Sequence, residues 1–198
     1  QHDEKTKNDH FRDMLNTAKE RGFAPHCVLF DSWYSGMGNL KHVRRLQWHF
    51  LTRLKSNRLV KEEESDYLAV SEVNIPDEGC LVHLKGYGQI KLFKVQHIEK
   101  EPEFWATDML SMNPERRAEL RKISWKIEEF HRGVKQFCGI ERCQARKSQS
   151  QFCHFLLSIR SLMLFERARL TKGPIWYESK MRIHLASIAQ FIENPSLF

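Results

Sequence analysis

Residues 27–36 read Cys-Val-Leu-Phe-Asp-Ser-Trp-Tyr-Ser-Gly, an apolar run that ends on Asp31. Four apolar residues followed by turn-forming residues predict a short buried strand. Ligands of open α/β sheets gather outside the carboxyl ends of strands, so Asp31 stands where a carboxylate can hold a metal ion. On position alone, a turn or helix-capping role is the common alternative for such an aspartate.

Helical and strand patterns alternate around this run. Apolar residues at helical spacing predict an amphipathic helix over residues 7–21 and a shorter helix over 40–46. A second strand is predicted over 48–54. The order α-β-α-β predicts two parallel strands joined by a right-handed crossover.

Residues 59–110 differ in character, because short apolar segments here alternate with charged and turn-forming residues. The predicted strands are residues 68–73, 81–85, 90–96 and 104–107. Gly86-Tyr87-Gly88 has the composition of a hairpin turn between two of them. We interpret this stretch as an inserted antiparallel β region.

Three helices are predicted beyond residue 110, over about 113–137, 151–170 and 181–192. In the first, six apolar residues step by three and four and predict a stripe that faces the core. They are Leu120, Ile123, Ile127, Phe130, Val134 and Phe137. The second helix is apolar enough to be predicted as core over most of its length.

The first of these helices also has a polar face. Glu128, His131, Arg132 and Lys135 fall at i, i+3, i+4 and i+7, which places them on one side of a helix. This pattern surrounds a carboxylate with cations that can bind phosphate. The adjacent Glu129 is the competing acid.

The composition narrows the class of partner. The 198 residues include 32 Lys+Arg and 25 Asp+Glu, and the net charge of +7 is compatible with a polyanionic partner without establishing one. No apolar run approaches the roughly 18 residues that span a bilayer, so no membrane partner is expected. The five cysteines are odd in number and lie mostly in apolar stretches, which indicates reduced thiols in the cytosol. Their spacing lacks a Cys-x2-Cys pair, which argues against zinc.

Taken together, the Asp31 stretch and the acidic helix resemble the DDE transposases of bacterial insertion sequences. The ribonuclease H-like core of that family ends in a helix reading Tyr-x2-Arg-x3-Glu-x6-Lys, and a β insertion precedes this helix. Glu128 and Lys135 match the spacing between the family's Glu and Lys. Ser124 stands where the family has Arg, and Arg121 stands where it has Tyr.

The resemblance implies an α/β fold with a ribonuclease H-like core that is incomplete at its N-terminus. The implied core covers residues 1–58 and 111–170, the β insertion 59–110, and a C-terminal helical segment 171–198. The family's first catalytic Asp lies on an earlier strand, so we expect it upstream of Gln1 and read the chain as the C-terminal part of the catalytic domain.

The resemblance also implies an activity, namely endonuclease cleavage of transposon ends and strand transfer to target DNA in the bacterial cytoplasm, close to the nucleoid. Asp31 and Glu128 would be catalytic and would bind Mg²⁺ or Mn²⁺, and the protein would act as a homo-oligomer in a synaptic complex. The implied DNA-binding residues are Lys135, Arg132, His131, Arg121, Trp33, Tyr34, Arg142 and Lys147.

The sequence is compatible with several alternatives. Trp33 and Tyr34 either stack on an unpaired base or pack under the edge of the sheet. The basic stretch from Arg142 to Lys147 is either a solvated loop or a contact with the DNA backbone. The activity itself has two rivals, a catalytically inactive DNA-binding remnant and a nuclease of the same fold that performs no strand transfer.

Overall fold

The computed structural model describes residues 4–63, 65–173 and 175–194. The chain divides into two compact units, Gln1–Ile123 and Ser124–Phe198. We call the first the sheet unit and the second the helical unit. Whether the core and the insertion form separate domains with the predicted boundaries stays a prediction.

The sheet unit consists of one sheet and the helices that cover it. Its helices are α1 (Lys7–Glu20), α2 (Met37–Arg45) and the first part of α3 (Pro114–Arg132). Its strands are β1 (Cys27–Phe30), β2 (His49–Leu54), β3 (Leu59–Lys61), β4 (Leu68–Ala69), β5 (Cys80–Leu84), β6 (Gly88–His97) and β7 (Lys100–Thr107). The order across the sheet is β1-β2-β7-β6-β5-β3-β4.

The pairing agrees with the main sequence expectations. β1 and β2 are parallel, with Cys27 beside His49 and Phe30 beside Thr52, and the other described strand pairs are antiparallel. Residues 59–110 therefore extend the same sheet as an antiparallel region. β5 and β6 form the predicted hairpin, and Gly86 at its turn has a φ of 81°, which favours glycine.

One predicted strand is largely wrong. Within residues 68–73 Leu68 and Ala69 form the strand, and Val70–Glu72 form a 3₁₀ turn. The backbone N–H of Val70 donates to Arg58 at 2.8 Å, and the fully buried Val70 side chain belongs to the core. Burying Val70 therefore turns the chain out of the strand path. The short β3, which pairs with β4 and β5, was missing from the expectations.

Both faces of the sheet carry a hydrophobic core, because successive strand residues point to opposite faces. On one face Phe50 and Phe104 pack with residues of α1 and α2, including Phe11 and Leu40. The second core is formed by Leu51, Phe93, Trp105, Met112 and Leu120. The start of α3, where Asn113 accepts a hydrogen bond from the Arg116 N–H at 2.8 Å, lies against this second face.

The helical unit contains the rest of α3, a π-helical turn (Gly133–Phe137), a 3₁₀ turn (Ile140–Arg142), α4 (Ser148–Lys172) and α5 (Trp176–Glu193). All three predicted helices are present, but α3 ends five residues before Phe137 and α5 begins five residues before the predicted start. Among the described residues, no helix is long and apolar enough to cross a membrane.

The predicted core stripe of α3 is only partly correct. Leu120 and Val134 are buried, whereas Ile123, Ile127 and Phe130 are exposed. On α4 Leu162 is buried, whereas Phe152, Phe155, Leu156 and Met163 are exposed. The apolar side chains of α4 point to several sides of the helix, so packing on one side leaves the others in solvent.

The cysteines agree with the expectation of reduced thiols, since Cys27, Cys80, Cys138, Cys143 and Cys153 are all unpaired. Burial, and then the charge of Asp108, raises the pKa of the Cys27 thiol to about 12.

Candidate active site

The loop after β1 positions Asp31 through a buried amide. The Asn39 side chain is 1% exposed, and it donates to the Tyr34 carbonyl at 3.0 Å and to the Asn8 side chain at 2.8 Å. It accepts from Arg12 at 2.9 Å. Because these bonds join α1, α2 and the 3₁₀ turn Ser32–Tyr34, the residues that follow β1 are fixed to their surroundings.

Asp31 itself is exposed at the carboxyl end of β1, and its side chain is 57% accessible. Its Oδ1 accepts from Ser32 Oγ at 2.9 Å and from Arg53 Nη2 at 3.1 Å. Partial burial raises its pKa, but the hydrogen bond from Ser32 and the charge of Arg53 outweigh this effect, so the pKa lies below its ordinary value. Asp31 is therefore ionised at neutral pH and open to a cation.

A polar cluster beside Asp31 was missing from the expectations. Arg53 Nη1 donates to Glu103 Oε1 at 3.1 Å, while Nη2 of the same guanidinium bonds Asp31. Glu103 Oε2 accepts from Trp105 Nε1 at 2.9 Å and lies 3.5 Å from both His97 Nε2 and Arg121 Nη2. No local sequence pattern pointed to this pair, because Arg53 and Glu103 lie on different strands, 50 positions apart.

The two aromatic residues of the 3₁₀ turn have different environments. Tyr34 is partly buried, and its ring stacks on Phe11 with centroids 5.0 Å apart, so the packing alternative describes Tyr34. Trp33 is 64% exposed, with Lys7 Nζ 5.7 Å from its ring centroid. A base-stacking role stays a prediction, and Trp33 is the residue with an accessible ring.

Glu128 lies on α3 in the helical unit and is exposed. Its Oε2 is 4.0 Å from His131 Nδ1, which agrees with the predicted shared face. The competing Glu129 pairs instead with Lys126 at 3.6 Å. Because Asp31 and Glu128 belong to different units, their approach to a common metal site stays a prediction.

Lys135 lies within the π-helical turn, where the extra residue per turn changes the phase of the α-helix. Its Nζ bonds Glu141 Oε1 at 2.7 Å. The hydrogen bond and charge of Glu141, and less strongly the charge of Glu128, raise the pKa of Lys135. Lys135 is therefore protonated and exposed, with its charge shared mainly with Glu141.

The other predicted DNA contacts are divided between the units. Arg121 lies in the sheet unit, over the Trp105 ring at 5.9 Å. Arg132, Arg142 and Lys147 are exposed in the helical unit. Arg132 lines a cleft of about 710 Å³ together with Phe130, Glu166 and Trp176, among others. A joint DNA surface stays a prediction.

The chemistry of the acids suits a hard divalent cation, which prefers oxygen ligands. Asp31 and Glu128 each offer an exposed carboxylate. Across the described residues, no three His, Cys, Asp or Glu side chains are grouped to hold a metal. Each unit therefore offers one of the predicted carboxylate ligands for a divalent cation, and neither unit alone contains a complete set of ligands among its described residues.

Comparison with known proteins identifies the type of domain. The family model of the transposase DDE domain matches residues 3–164, which is more than half of the chain. A search of curated proteins finds no match.

Proposed function

Because this chain belongs to the transposase DDE domain family, we propose that it takes part in metal-dependent cleavage at the ends of a mobile element and in strand transfer to target DNA, and that these 198 residues alone are inactive. The single observation that carries the assignment is Asp31, an exposed and ionised carboxylate fixed at the carboxyl end of β1. β1 runs parallel to β2, and ligands of open α/β sheets gather outside the carboxyl ends of such parallel strands.

In this proposal, Asp31 and Glu128 are the two carboxylates that this chain contributes to a Mg²⁺ or Mn²⁺ site. The bound ions would activate the attacking oxygen and stabilise the leaving oxygen of a phosphodiester. The protein's own task is to bring two distant side chains to one phosphate and to hold the DNA there. Lys135, Arg132 and His131, together with Arg121, Arg142 and Lys147, would bind the backbone through charge.

We further propose that the protein works in the bacterial cytoplasm, on nucleoid DNA, as a homo-oligomer that brings two element ends together. Phe152, Phe155 and Leu156 of α4 are exposed and fall at i, i+3 and i+4, so they share one side of the helix, and exposed apolar surface of this kind supports association.

The test is excision of a marked mobile element in cells by the protein of the complete open reading frame, with matched acid-to-amide variants. Asp31→Asn and Glu128→Gln should abolish excision while folding and DNA binding persist, because these changes keep the shape and remove a metal-binding charge. Glu129→Gln should retain activity. Full excision by Glu128→Gln together with its loss in Glu129→Gln would transfer the role to Glu129.

Ser124, at the position of the family's Arg, favours one rival, an inactive DNA-binding remnant. The remnant predicts duplex binding that weakens with salt but no excision by the unaltered protein. A nuclease of the same fold would give cut ends without joined products in the same assay.

A further inference from the structure

Arg53 links two carboxylates with one guanidinium. Its Nη2 donates to Asp31 at 3.1 Å and its Nη1 donates to Glu103 at 3.1 Å. Arg53 is opposite Trp105 across the β2–β7 pair, and its guanidinium carbon lies 6.0 Å from the Trp105 ring centroid. The guanidinium is thus restrained by a cross-strand aromatic residue as well as by two acids.

The two ends of this link differ in how firmly they are held. The Glu103 side chain is 19% exposed, and Trp105, Arg121 and His97 surround its carboxylate. The Asp31 side chain is 57% exposed, and its other hydrogen bond comes from the neighbouring Ser32. The bond between Arg53 and Glu103 is therefore the more firmly held of the two, and the bond between Arg53 and Asp31 is accessible to solvent and ions.

We propose that Glu103 and Arg53 are positioning residues of the Asp31 site. Arg53 neutralises Asp31 until the carboxylate exchanges it for a divalent cation. Glu103 then keeps Arg53 in place by Nη1, while Nη2 becomes available to a phosphate oxygen of the DNA. This inference rests on the proposed function, since it takes Asp31 as a metal ligand.

The exchange follows from geometry and charge. Arg53 Nη2 and Ser32 Oγ both donate to Oδ1 of Asp31. A cation bound to the same carboxylate therefore lies beside the positive charge of Arg53, and the two charges repel each other. An exposed ion pair contributes little stability, so the Asp31 bond can be broken by a competing ion. Arginine matches the planar geometry of phosphate oxygens, so the released Nη2 suits a phosphodiester.

The experiment follows side-chain and backbone NMR signals of the 198-residue chain during a Mg²⁺ titration at constant ionic strength. The Asp31 amide and the Arg53 guanidinium should respond with the same midpoint. In Arg53→Gln the Asp31 midpoint should move to a Mg²⁺ concentration about two- to fivefold lower, the ratio expected for loss of an exposed ion pair. Arg21→Gln, which removes an exposed charge elsewhere in the sheet unit, should leave the midpoint unchanged.

Glu103→Gln tests the bond between Arg53 and Glu103. In the unaltered chain one Arg53 nitrogen should remain slow to rotate after Mg²⁺ is added, whereas in Glu103→Gln both should rotate freely. The gain in duplex affinity on adding Mg²⁺ should shrink in Arg53→Gln and be partly kept in Arg53→Lys. The lysine variant retains the positive charge, and it replaces the glutamine variant in this experiment if the glutamine variant does not fold.

The outcomes separate the two ideas. If the Asp31 amide ignores Mg²⁺ throughout the millimolar range, Asp31 is no metal ligand and the proposed function loses its main support. If Asp31 responds but the Arg53 signals do not, or the midpoint is the same in Arg53→Gln, the positioning role is wrong and the metal role stands. If Mg²⁺ raises the duplex affinity of Arg53→Gln as much as that of the unaltered chain, Arg53 makes no phosphate contact.

Discussion

The sheet unit buries apolar side chains on both faces of one sheet, whereas the helical unit leaves most of its own in solvent. Leu51 of β2 is fully buried, while Leu157 of α4 is 60% exposed. Within the described part of the helical unit, Val134 and Leu162 are the buried apolar side chains.

The contrast shows that a strongly apolar sequence has a different consequence in each kind of element. A strand has two faces, and α1, α2 and α3 cover both faces of this sheet. A helix that is apolar on all sides needs neighbours all round it before those side chains are buried. Stability should therefore come mainly from the core of the sheet unit, and the helical unit should depend on a few close contacts.

The largest expected effect comes from a matched pair of leucines. Leu51→Ala should lower the free energy of unfolding by about 2–5 kcal/mol, because it removes buried methyl groups and leaves a cavity. Leu157→Ala should change it by about 0.5 kcal/mol or less, as exposed substitutions do. Urea denaturation of both variants at low protein concentration measures the difference. Equal losses would mean that Leu157 is covered in solution.

The next effect concerns the closest packing in the helical unit. A Cβ at Gly133 would lie 2.7 Å from Leu162 Cδ1 and 3.0 Å from the Trp176 ring. Gly133→Ala should therefore destabilise the helical unit by about 1–3 kcal/mol through overpacking. Gly38→Ala is the control, because its Cβ would make only an ordinary contact of 3.5 Å with Arg12.

Alanine within a helix lowers the entropy of the unfolded chain, so Gly38→Ala should be neutral or stabilise by up to about 1 kcal/mol. Thermal unfolding gives the sign in each case. A neutral Gly133→Ala would show that the contact between the π-helical turn and α4 is loose.

A smaller effect concerns pH. Burial raises the pKa of Glu103, but the hydrogen bond from Trp105 and the charges of Arg121 and Arg53 together hold it below its ordinary 4.5. Its stabilising contribution is therefore fully present above pH 4.5 and is lost as the pH falls through the lower folded-state value. Since the charged partners of Glu103 are partly exposed, we expect this contribution to the free energy of unfolding to be about 1 kcal/mol.

Unfolding free energies of Glu103→Gln and the unaltered chain between pH 7 and pH 3 test this sign. The difference between the two should shrink as the pH falls. Glu101→Gln, at an exposed site on the same strand, controls for loss of a charge. A difference that does not change with pH would remove the carboxylate of Glu103 as its cause.

The smallest expected effect lies in the DNA contacts of the helical unit. If Lys135 neutralises one phosphate, Lys135→Ala should lower the salt slope of duplex binding by about 0.9. Glu141→Gln should raise the affinity, because it releases Lys135 from its 2.7 Å ion pair. Fluorescence anisotropy at several salt concentrations measures both. The same loss from Lys94→Ala in the sheet unit would indicate general attraction to a basic surface.

The site shows how far local patterns extend. The apolar run and the turn residues predicted the strand that ends at Asp31, and the i, i+3 spacing predicted the face shared by Glu128 and His131. Arg53 and Glu103 gave no such signal, because they are 50 positions apart and meet only through the pairing of β2 with β7. The π-helical turn was not predicted either. Gly133, at its start, packs closely on Leu162 of α4 and Trp176 of α5, and such contacts between distant segments leave no local pattern in the sequence.

The chain by itself determined the elements whose cause is local: the α-β-α-β order around Asp31, the hairpin at Gly86, and the long acidic helix with Glu128. Its motifs also identified the transposase family. Only the tertiary structure decided which side chains contact these residues. Arg53 bonds both Asp31 and Glu103, and Lys135 forms an ion pair with Glu141. The physical reason is that spacing along the chain determines which face of a helix or strand a residue occupies. Which residue it contacts across that face depends on how distant segments pack.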